Sequence, residues 1–478
     1  MIKTINIMSP NRLPSSIFLL YIFLFCSSIV YCSSRDILKH GEWIINNGST
    51  LVSAGGMFEL GFFTPMESLS PKRFVGIWYH TWGQQVVVWV ANRDHPIPDG
   101  STGFFGIAED GKLKVWDNSS FRKEYWTPDL EKSSSTNQIV RLMDSGNLVL
   151  SEDVQSAMIL WESFNFPTDT FLSGMKMDEK TNLVSWNGPS DPGTGQFTFM
   201  QDEDESGEGR LGSYAIKEKV GFHWKSRSTG KFLKSEKMPN YIANLLSNFS
   251  TNTSYRNFTF TKAQLSQNYS NARLVMHYSG ELRYLVWDIK NQNWSLEWRE
   301  PENQCSIYKA CGKLGSCNIN NWFTCKCLPG SKPTDPKKWN SRNFFDGCTK
   351  NSTSCDMSGT FLNLHRMKVR DPDTDSEVKD KEECKKLCVE ECRCQAYSYE
   401  VTKNSTQRSD TSTGANICWI WNEDLSDLQE EYEIGRDISI RVAKSDIGIY
   451  SLYKLIYIYI YIIETFKTPT IFHIKHNI

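Results

Sequence analysis

Apolar and polar residues alternate in short runs from Asp36 to about Phe164, and turn residues close each run. Gly55-Gly56 precede Met57-Phe-Glu-Leu-Gly-Phe-Phe63. Phe74-Val-Gly-Ile-Trp-Tyr79 precedes Gln85-Val-Val-Val-Trp-Val-Ala91, and Gly111-Lys-Leu-Lys-Val-Trp116 and Gly146-Asn-Leu-Val-Leu150 each begin at a glycine. Period-two runs separated by glycine predict short strands and an all-β sandwich, barrel or prism. Long 3.6-period segments are lacking here, which excludes a helical fold for this part. The β pattern continues to about Glu300: Asp191-Pro-Gly-Thr-Gly-Gln-Phe-Thr-Phe199 reads as a turn and a strand, and Leu282–Trp287 and Trp294–Trp298 read as two more strands.

The pattern changes at Cys305. Twelve of the fourteen cysteines lie between Cys305 and Cys418, in two runs of six. The first is Cys305, Cys311, Cys317, Cys325, Cys327 and Cys348; the second is Cys355, Cys384, Cys388, Cys392, Cys394 and Cys418. Even sets in short segments predict two disulfide-stapled modules, because so little chain buries too little apolar surface to fold unaided. Cys384, Cys388 and Cys392, spaced by four, predict a helix with all three sulfurs on one face. Paired thiolates at Cys325-Lys-Cys327 and Cys392-Arg-Cys394 make zinc the rival reading, but such sites belong to reducing compartments and the rest of the chain argues for export. No cofactor or metal is expected.

Export is read from two features. Lys3 and Arg12 supply a positive region ahead of an apolar stretch, Ile17 to Val30, which reads as a signal peptide over 1–32 with cleavage after Cys32; an uncleaved anchor is the alternative. Nine Asn-x-Ser/Thr sequons follow, at Asn47, Asn118, Asn248, Asn252, Asn257, Asn268, Asn293, Asn351 and Asn404. Used sequons sit on the surface, so Asn248–Asn257 is expected to be an exposed loop. The 478 residues allow about three domains, and the net charge of −2 points to no nucleic-acid partner.

Three motifs carry a resemblance. Trp89-Val-Ala-Asn-Arg-Asp94, Asp144-Ser-Gly-Asn-Leu-Val-Leu150 and Trp161-Glu-Ser-Phe-Asn-Phe-Pro-Thr-Asp-Thr170 resemble the bulb-type lectin domain of plant S-locus glycoproteins and G-type lectin S-receptor-like serine/threonine kinases. The resemblance covers about Ser34 to Asp446. It implies a mainly β chain: a bulb-lectin β-prism over 33–164, a second lectin-like S-locus region over 165–300, an EGF-like module over 301–350 and an α+β PAN/apple domain over 355–442. It also implies disulfide pairs Cys305–Cys317, Cys311–Cys325, Cys327–Cys348, Cys384–Cys418, Cys388–Cys394 and Cys355–Cys392, whereas spacing alone leaves fifteen connectivities open for each set of six. Cys311-Gly-Lys-Leu-Gly-Ser-Cys317 and Asn416-Ile-Cys-Trp-Ile-Trp421 carry the two cysteine modules of the likeness.

The bulb lectins hold mannose with a Gln-x-Asp-x-Asn-x-Val-x-Tyr pocket. Those five positions read Met143, Ser145, Asn147, Val149 and Ser151 here, and Ala108, Asp110, Lys112, Lys114 and Trp116 in the preceding repeat. Asp110, Asn147 and Val149 are therefore the only candidate sugar contacts, and a β-prism scaffold without the mannose site is expected. The family implies an extracellular ligand (glycan, small peptide or lipid pattern), dimerisation through the PAN region, and a secreted or outer plasma-membrane location.

Other motifs are set aside. Gly207-Glu-Gly-Arg-Leu-Gly212 follows Asp202-Glu-Asp-Glu205, whose charge repels phosphate. Asp202, Asp204 and Ser206, and separately Asp371, Asp373, Asp375 and Glu382, match calcium loops only in part. The sequence contains no glycine-rich loop with a Val-Ala-Ile-Lys strand, no His-Arg-Asp loop and no Asp-Phe-Gly, so phosphoryl transfer by this chain is not expected. The apolar tail 447–478 leaves the likeness abruptly. Its Ile456-Tyr-Ile-Tyr-Ile-Tyr-Ile462 run is what an AT repeat encodes, and translated intron is expected ahead of a membrane tether or a packed strand. A tether needs about 20 apolar residues.

Overall fold

A computed structural model of the chain describes residues 35–66, 71–120, 122–130, 137–153, 158–202, 214–219, 221–226, 232, 238–246, 269–351, 360–401, 416–423, 425–444 and 446. The signal-peptide reading, the glycine-rich Gly207–Gly212, Cys355, the sequons at Asn248, Asn252, Asn257, Asn268 and Asn404, and the 447–478 tail lie outside them. No helix among the described residues is long and apolar enough to cross a membrane. The chain divides into two units: the first takes described residues up to 64, 71–87 and 96–162, the second 65–66, 88–95 and the described residues from 163 on.

Unit 1 is all β. Its strands are β1 (Ile37–Lys39), β2 (Trp43–Ile45), β3 (Thr50–Val52), β4 (Phe58–Phe63), β5 (Phe74–Tyr79) and, after β6 (Val87–Val90) leads into unit 2, β7 (Gly103–Ile107), β8 (Leu113–Asp117), β9 (Glu124–Trp126), β10 (Ile139–Leu142), β11 (Leu148–Ser151) and β12 (Ile159–Glu162). They form antiparallel sheets in the orders β1-β10-β11-β12, β2-β7-β8-β9 and β3-β4-β5. Alternation puts Phe105, Leu113, Val115, Leu148, Leu150, Leu51, Leu60 and Ile77 inside, all essentially fully buried. The three-sheet arrangement follows from that alternation: each sheet has one apolar face, and burying three of them against one another closes the core.

Unit 2 begins with the same kind of sheet. Strands β13 (Thr170–Leu172), β14 (Leu183–Gly188), β15 (Asp191–Gln201), β16 (Tyr214–Glu218), β17 (Gly221–Lys225), β18 (Ala272–Met276), β19 (Leu282–Asp288) and β20 (Asn293–Glu300) pair as β13-β18-β19-β20 and β14-β15-β16-β17. Arg93 anchors the second of these sheets. Its Nε donates to Pro192 O at 2.9 Å, Nη1 to Val184 O at 3.1 Å, and Nη2 to Ser185 O at 2.7 Å and Gly193 O at 3.3 Å. Asp94 holds the same hairpin, accepting from Thr194 N at 2.7 Å and Thr194 Oγ1 at 2.8 Å. These contacts give the Arg93-Asp94 pair after β6 a structural role.

The cysteine-rich part holds β21 (Gly315–Cys317), β22 (Cys325–Cys327), β23 (Ser331–Pro333), β24 (Cys348–Lys350), β25 (Phe361–Met367), β26 (Thr374–Val378), β27 (Ala396–Glu400), β28 (Asn416–Trp421), β29 (Leu428–Gln429) and β30 (Arg436–Arg441). The five-stranded sheet β25-β30-β27-β28-β26 carries the helix Lys381–Glu390. The sulfurs of Cys305 and Cys317, Cys311 and Cys325, Cys327 and Cys348, Cys384 and Cys418, and Cys388 and Cys394 are bonded. Cys392 is also disulfide-bonded. With Cys325 and Cys327 in separate disulfides, no thiolate pair is left there for a metal. Mass spectrometry of the non-reduced, secreted chain is expected to find no free thiol from Cys305 to Cys418; several free thiols, or bound zinc, would overturn this.

Two sequence expectations need correction. Cys384 and Cys388 lie in the helix and are fully buried, but Cys392 lies beyond its C-cap, Glu391, and is exposed. The reason is the Cys388–Cys394 bond. Six more residues of helix would put those Cα atoms about 9 Å apart, beyond disulfide reach; breaking the helix at Glu391 brings them to 5.3 Å. Arg441 then caps the freed carbonyls, donating to Cys388 O at 2.7 Å, Val389 O at 2.9 Å and Glu391 O at 3.2 Å. At the other end Asp380 accepts from Glu383 N at 2.9 Å.

The second concerns the two stapled modules: each has a cluster of its own, around Cys305, Cys311 and Phe344 in the first and Cys384, Cys418 and Tyr397 in the second, but a further cluster joins them. Leu314, Leu328 and Cys348 of the first pack in one cluster with Met367, Trp419, Trp421, Leu428 and Ile440 of the second, and Phe232 enters it from the preceding region. Strand β21 pairs in parallel with β29, with Ser316 opposite Leu428. Sharing a core lets two pieces, each too small to bury enough surface, become one stable body.

Candidate functional site

The lectin pocket positions sit on glycine-turn hairpins, and the same hairpin occurs three times among the described residues. Between β7 and β8, Ala108 N donates to Lys112 O and Gly111 N to Ala108 O, both at 2.9 Å. Between β10 and β11, Met143 N donates to Asn147 O and Gly146 N to Met143 O, again at 2.9 Å. Between β18 and β19, His277 N donates to Glu281 O at 2.9 Å and Gly280 N to His277 O at 3.0 Å. The glycines share a positive φ, 74°, 86° and 88°, which a residue with a Cβ reaches only under strain.

The third copy, in unit 2, places His277, Ser279, Glu281, Arg283 and Leu285 at the five pocket positions. Sequence reasoning missed it. Its trace is the recurrence of Asp110-Gly-Lys-Leu113, Ser145-Gly-Asn-Leu148 and Ser279-Gly-Glu-Leu282. Only the last lacks a match to any of the five signature residues, and so it gave no alignment anchor.

Each copy is closed by its own side chains. In the first, Lys114 Nζ lies 2.5 Å from Asp110 Oδ2 and 3.3 Å from Glu124 Oε2 of the adjacent strand β9. Burial pushes the Asp110 carboxyl up, but its bonds to Lys114 and Lys112 outweigh that and hold it below the usual range. In the second, Asn147 is buried and its Nδ2 donates to Glu162 Oε2 of β12 at 2.7 Å, while Ser151 Oγ donates to Asp153 O at 3.0 Å. Val149 lies beside them, half-buried and opposite Glu162. In the third, Arg283 Nε donates to Glu281 Oε2 at 2.8 Å, and Arg299 of β20 lies 3.4 Å from the other oxygen. Burial, with Arg283 alongside, lowers the His277 imidazole to about 4, so it is neutral at neutral pH.

In each copy a polar group that a sugar hydroxyl would need, Asp110, Asn147 or Glu281, is already held by a side chain of its own hairpin or of the adjacent strand. Binding mannose at any copy would first break an internal pair and leave a half-buried charge unmatched, a cost of the order of 1–3 kcal/mol. Calorimetry of the whole chain with mannose and short mannans is expected to show no saturable heat. A micromolar dissociation constant would reverse this reading.

The remaining candidates are distributed. Asn47, Asn118, Asn293 and Asn351 are all exposed. Of the calcium-type groups, Asp202 pairs with Lys225 at 3.2 Å. Asp373 is taken by Arg370 at 2.6 Å and by the N–H groups of Asn422 and Glu423.

Comparison with known proteins places these elements. The D-mannose binding lectin family matches residues 86–187, the S-locus glycoprotein domain residues 223–335 and the PAN-like domain residues 355–428. A G-type lectin S-receptor-like serine/threonine-protein kinase of Arabidopsis thaliana is 41% identical over 439 residues, 90% of this chain and 49% of that protein. A receptor-like serine/threonine-protein kinase of the same plant is 32% identical over 89% of this chain and 50% of its own length. A third Arabidopsis relative, whose name calls it an inactive kinase of the G-type lectin S-receptor-like group, is 30% identical over 92% of this chain and 78% of its own length. The chain spans about half the length of the first two relatives.

Proposed function

The chain belongs to the G-type lectin S-receptor-like family, and from that membership we propose that it is a non-catalytic extracellular recognition module for cell-surface signalling, such as pollen recognition or defence. The observation that carries this is the self-closure of all three pocket copies by Lys114, Glu162 and Arg299. A prism whose sugar sites are internally paired works as a scaffold that presents other surfaces to a glycan, peptide or lipid ligand. The sequence given carries none of the kinase signatures, which supports reading it as the non-catalytic part. On this reading the domains run 33–164, 165–300, 301–350 and 355–442, the exposed sequons carry glycans, and the PAN region supplies contacts to a second S-domain protein.

Expression of the whole chain in leaf cells tests it. The protein is expected in the extracellular fluid, N-glycosylated, beginning at Ser33. An unglycosylated protein held in the cytosol would refute the reading. The second reading, a truncated product of a receptor kinase gene, is favoured by the half-length match to the kinases. A transcript running in phase into a kinase exon would establish it.

A further inference from the structure

Unit 2 contains a cavity of about 340 Å³ that no pocket motif of the lectin fold accounts for. It lies where β17, β20, the 302–308 connection and the 427–433 segment meet. Four aromatic side chains, Trp224, Trp298, Tyr308 and Tyr432, stand in an otherwise mostly polar lining. They are held in place. Trp224 and Trp298 meet edge to face at 6.4 Å. Tyr308 N donates to His223 O at 2.8 Å, and Lys368 and Gln429 exchange both backbone hydrogen bonds, at 2.9 and 3.1 Å.

The charge around it is one-sided. Glu300, Glu302, Asp427, Glu431 and Glu433 line the cavity against only two cations, Lys225 and Lys368. Neither lysine is spare. Lys225 pairs with Asp202 at 3.2 Å and sits 3.7 Å from the Phe222 ring. Lys368 is buried and lies 5.6 Å from the Tyr432 ring. Glu302 and Glu433 are exposed on the rim.

We propose that this cavity binds a small organic cation, an amine or guanidinium ligand, through its aromatic side chains and acidic rim. The volume falls at the small end of known ligand sites, roughly 300–1,000 Å³. An aromatic face attracts a cation through its quadrupole, the more so where water is excluded. An excess of carboxylates raises the local concentration of cations and repels anions. A neutral sugar would gain the stacking and none of the charge. The proposal does not rest on any sugar reading of the hairpins.

The test uses the whole secreted chain, with the Nα-acetylated forms of L-arginine amide and L-citrulline amide as matched probes, the first a guanidinium cation and the second neutral. Tryptophan fluorescence and calorimetry are expected to show saturable binding of the arginine probe and at least tenfold weaker binding of the citrulline probe. E302Q/E433Q, two exposed replacements that leave the aromatic side chains intact, is expected to weaken binding of the arginine probe about tenfold. Its unchanged melting temperature separates a lost site from a lost fold. Equal binding of the two probes, binding that survives E302Q/E433Q, mannotriose competing with the arginine probe, or no saturable signal would each overturn the proposal.

Discussion

Replacing Arg93 with alanine is expected to lower the stability of unit 2 by about 3–5 kcal/mol. One guanidinium satisfies carbonyls of Val184, Ser185, Pro192 and Gly193, all on the β14-β15 hairpin. Its charge also offsets the burial of Asp169, which is 8% exposed. Alanine would strand those carbonyls and leave the buried Asp169 carboxylate with only the weaker counter-charge of Arg273. The pH dependence has a definite sign. Burial raises the Asp169 carboxyl above its ordinary value, while Arg93 pulls it back. Without Arg93 the rise grows, so the folded protein holds a proton there to higher pH. The gap between wild type and R93A should therefore narrow as the solution is acidified through the carboxylate range, and R93A/D169N should recover part of the loss. Urea unfolding at neutral and acid pH measures both. A gap under about 1 kcal/mol, or one that widens in acid, would show that the clamp is not structural.

The second large effect is expected at Cys384 and Cys418. Both are fully buried, and their bond ties the helix Lys381–Glu390 to β28 across 34 residues. Closing a loop of that length stabilises the fold by roughly 4 kcal/mol through the unfolded chain, against roughly 2 kcal/mol for the short Cys388–Cys394 loop. The same four sulfurs pack with Val378, Tyr397 and Ile420 in one cluster, so removal also opens a cavity. C384A/C418A is therefore expected to lower the melting temperature and the secreted yield more than C388A/C394A. The reverse order would show that local strain, and not loop closure, sets the contribution of each bond.

The likeness in the motifs around Trp89, Asp144 and Trp161 led to the correct family, because those motifs include turn glycines and core tryptophans that the prism cannot replace. The pocket was only half legible. Asp110 and Asn147 are visible in the sequence, but that Lys114 and Glu162 already hold them is not. The copy at His277–Leu285 escaped because its side chains had drifted while its backbone turn had not.

What the sequence by itself determined is therefore local: where strands run, where glycine must turn them, and where the helix Lys381–Glu390 begins at Asp380. A period of two, a positive φ and an N-cap are each decided within a few residues. The tertiary structure alone decided the partners. Arg93 reaches Gly193, 100 residues away. The Cys388–Cys394 bond breaks a helix whose spacing would have carried Cys392 onto the same face. Leu314 and Trp421 share a core although they belong to different cysteine runs. Partners of this kind are chosen by which surfaces remain unburied once the strands have formed, and that choice is written in no single stretch of the chain.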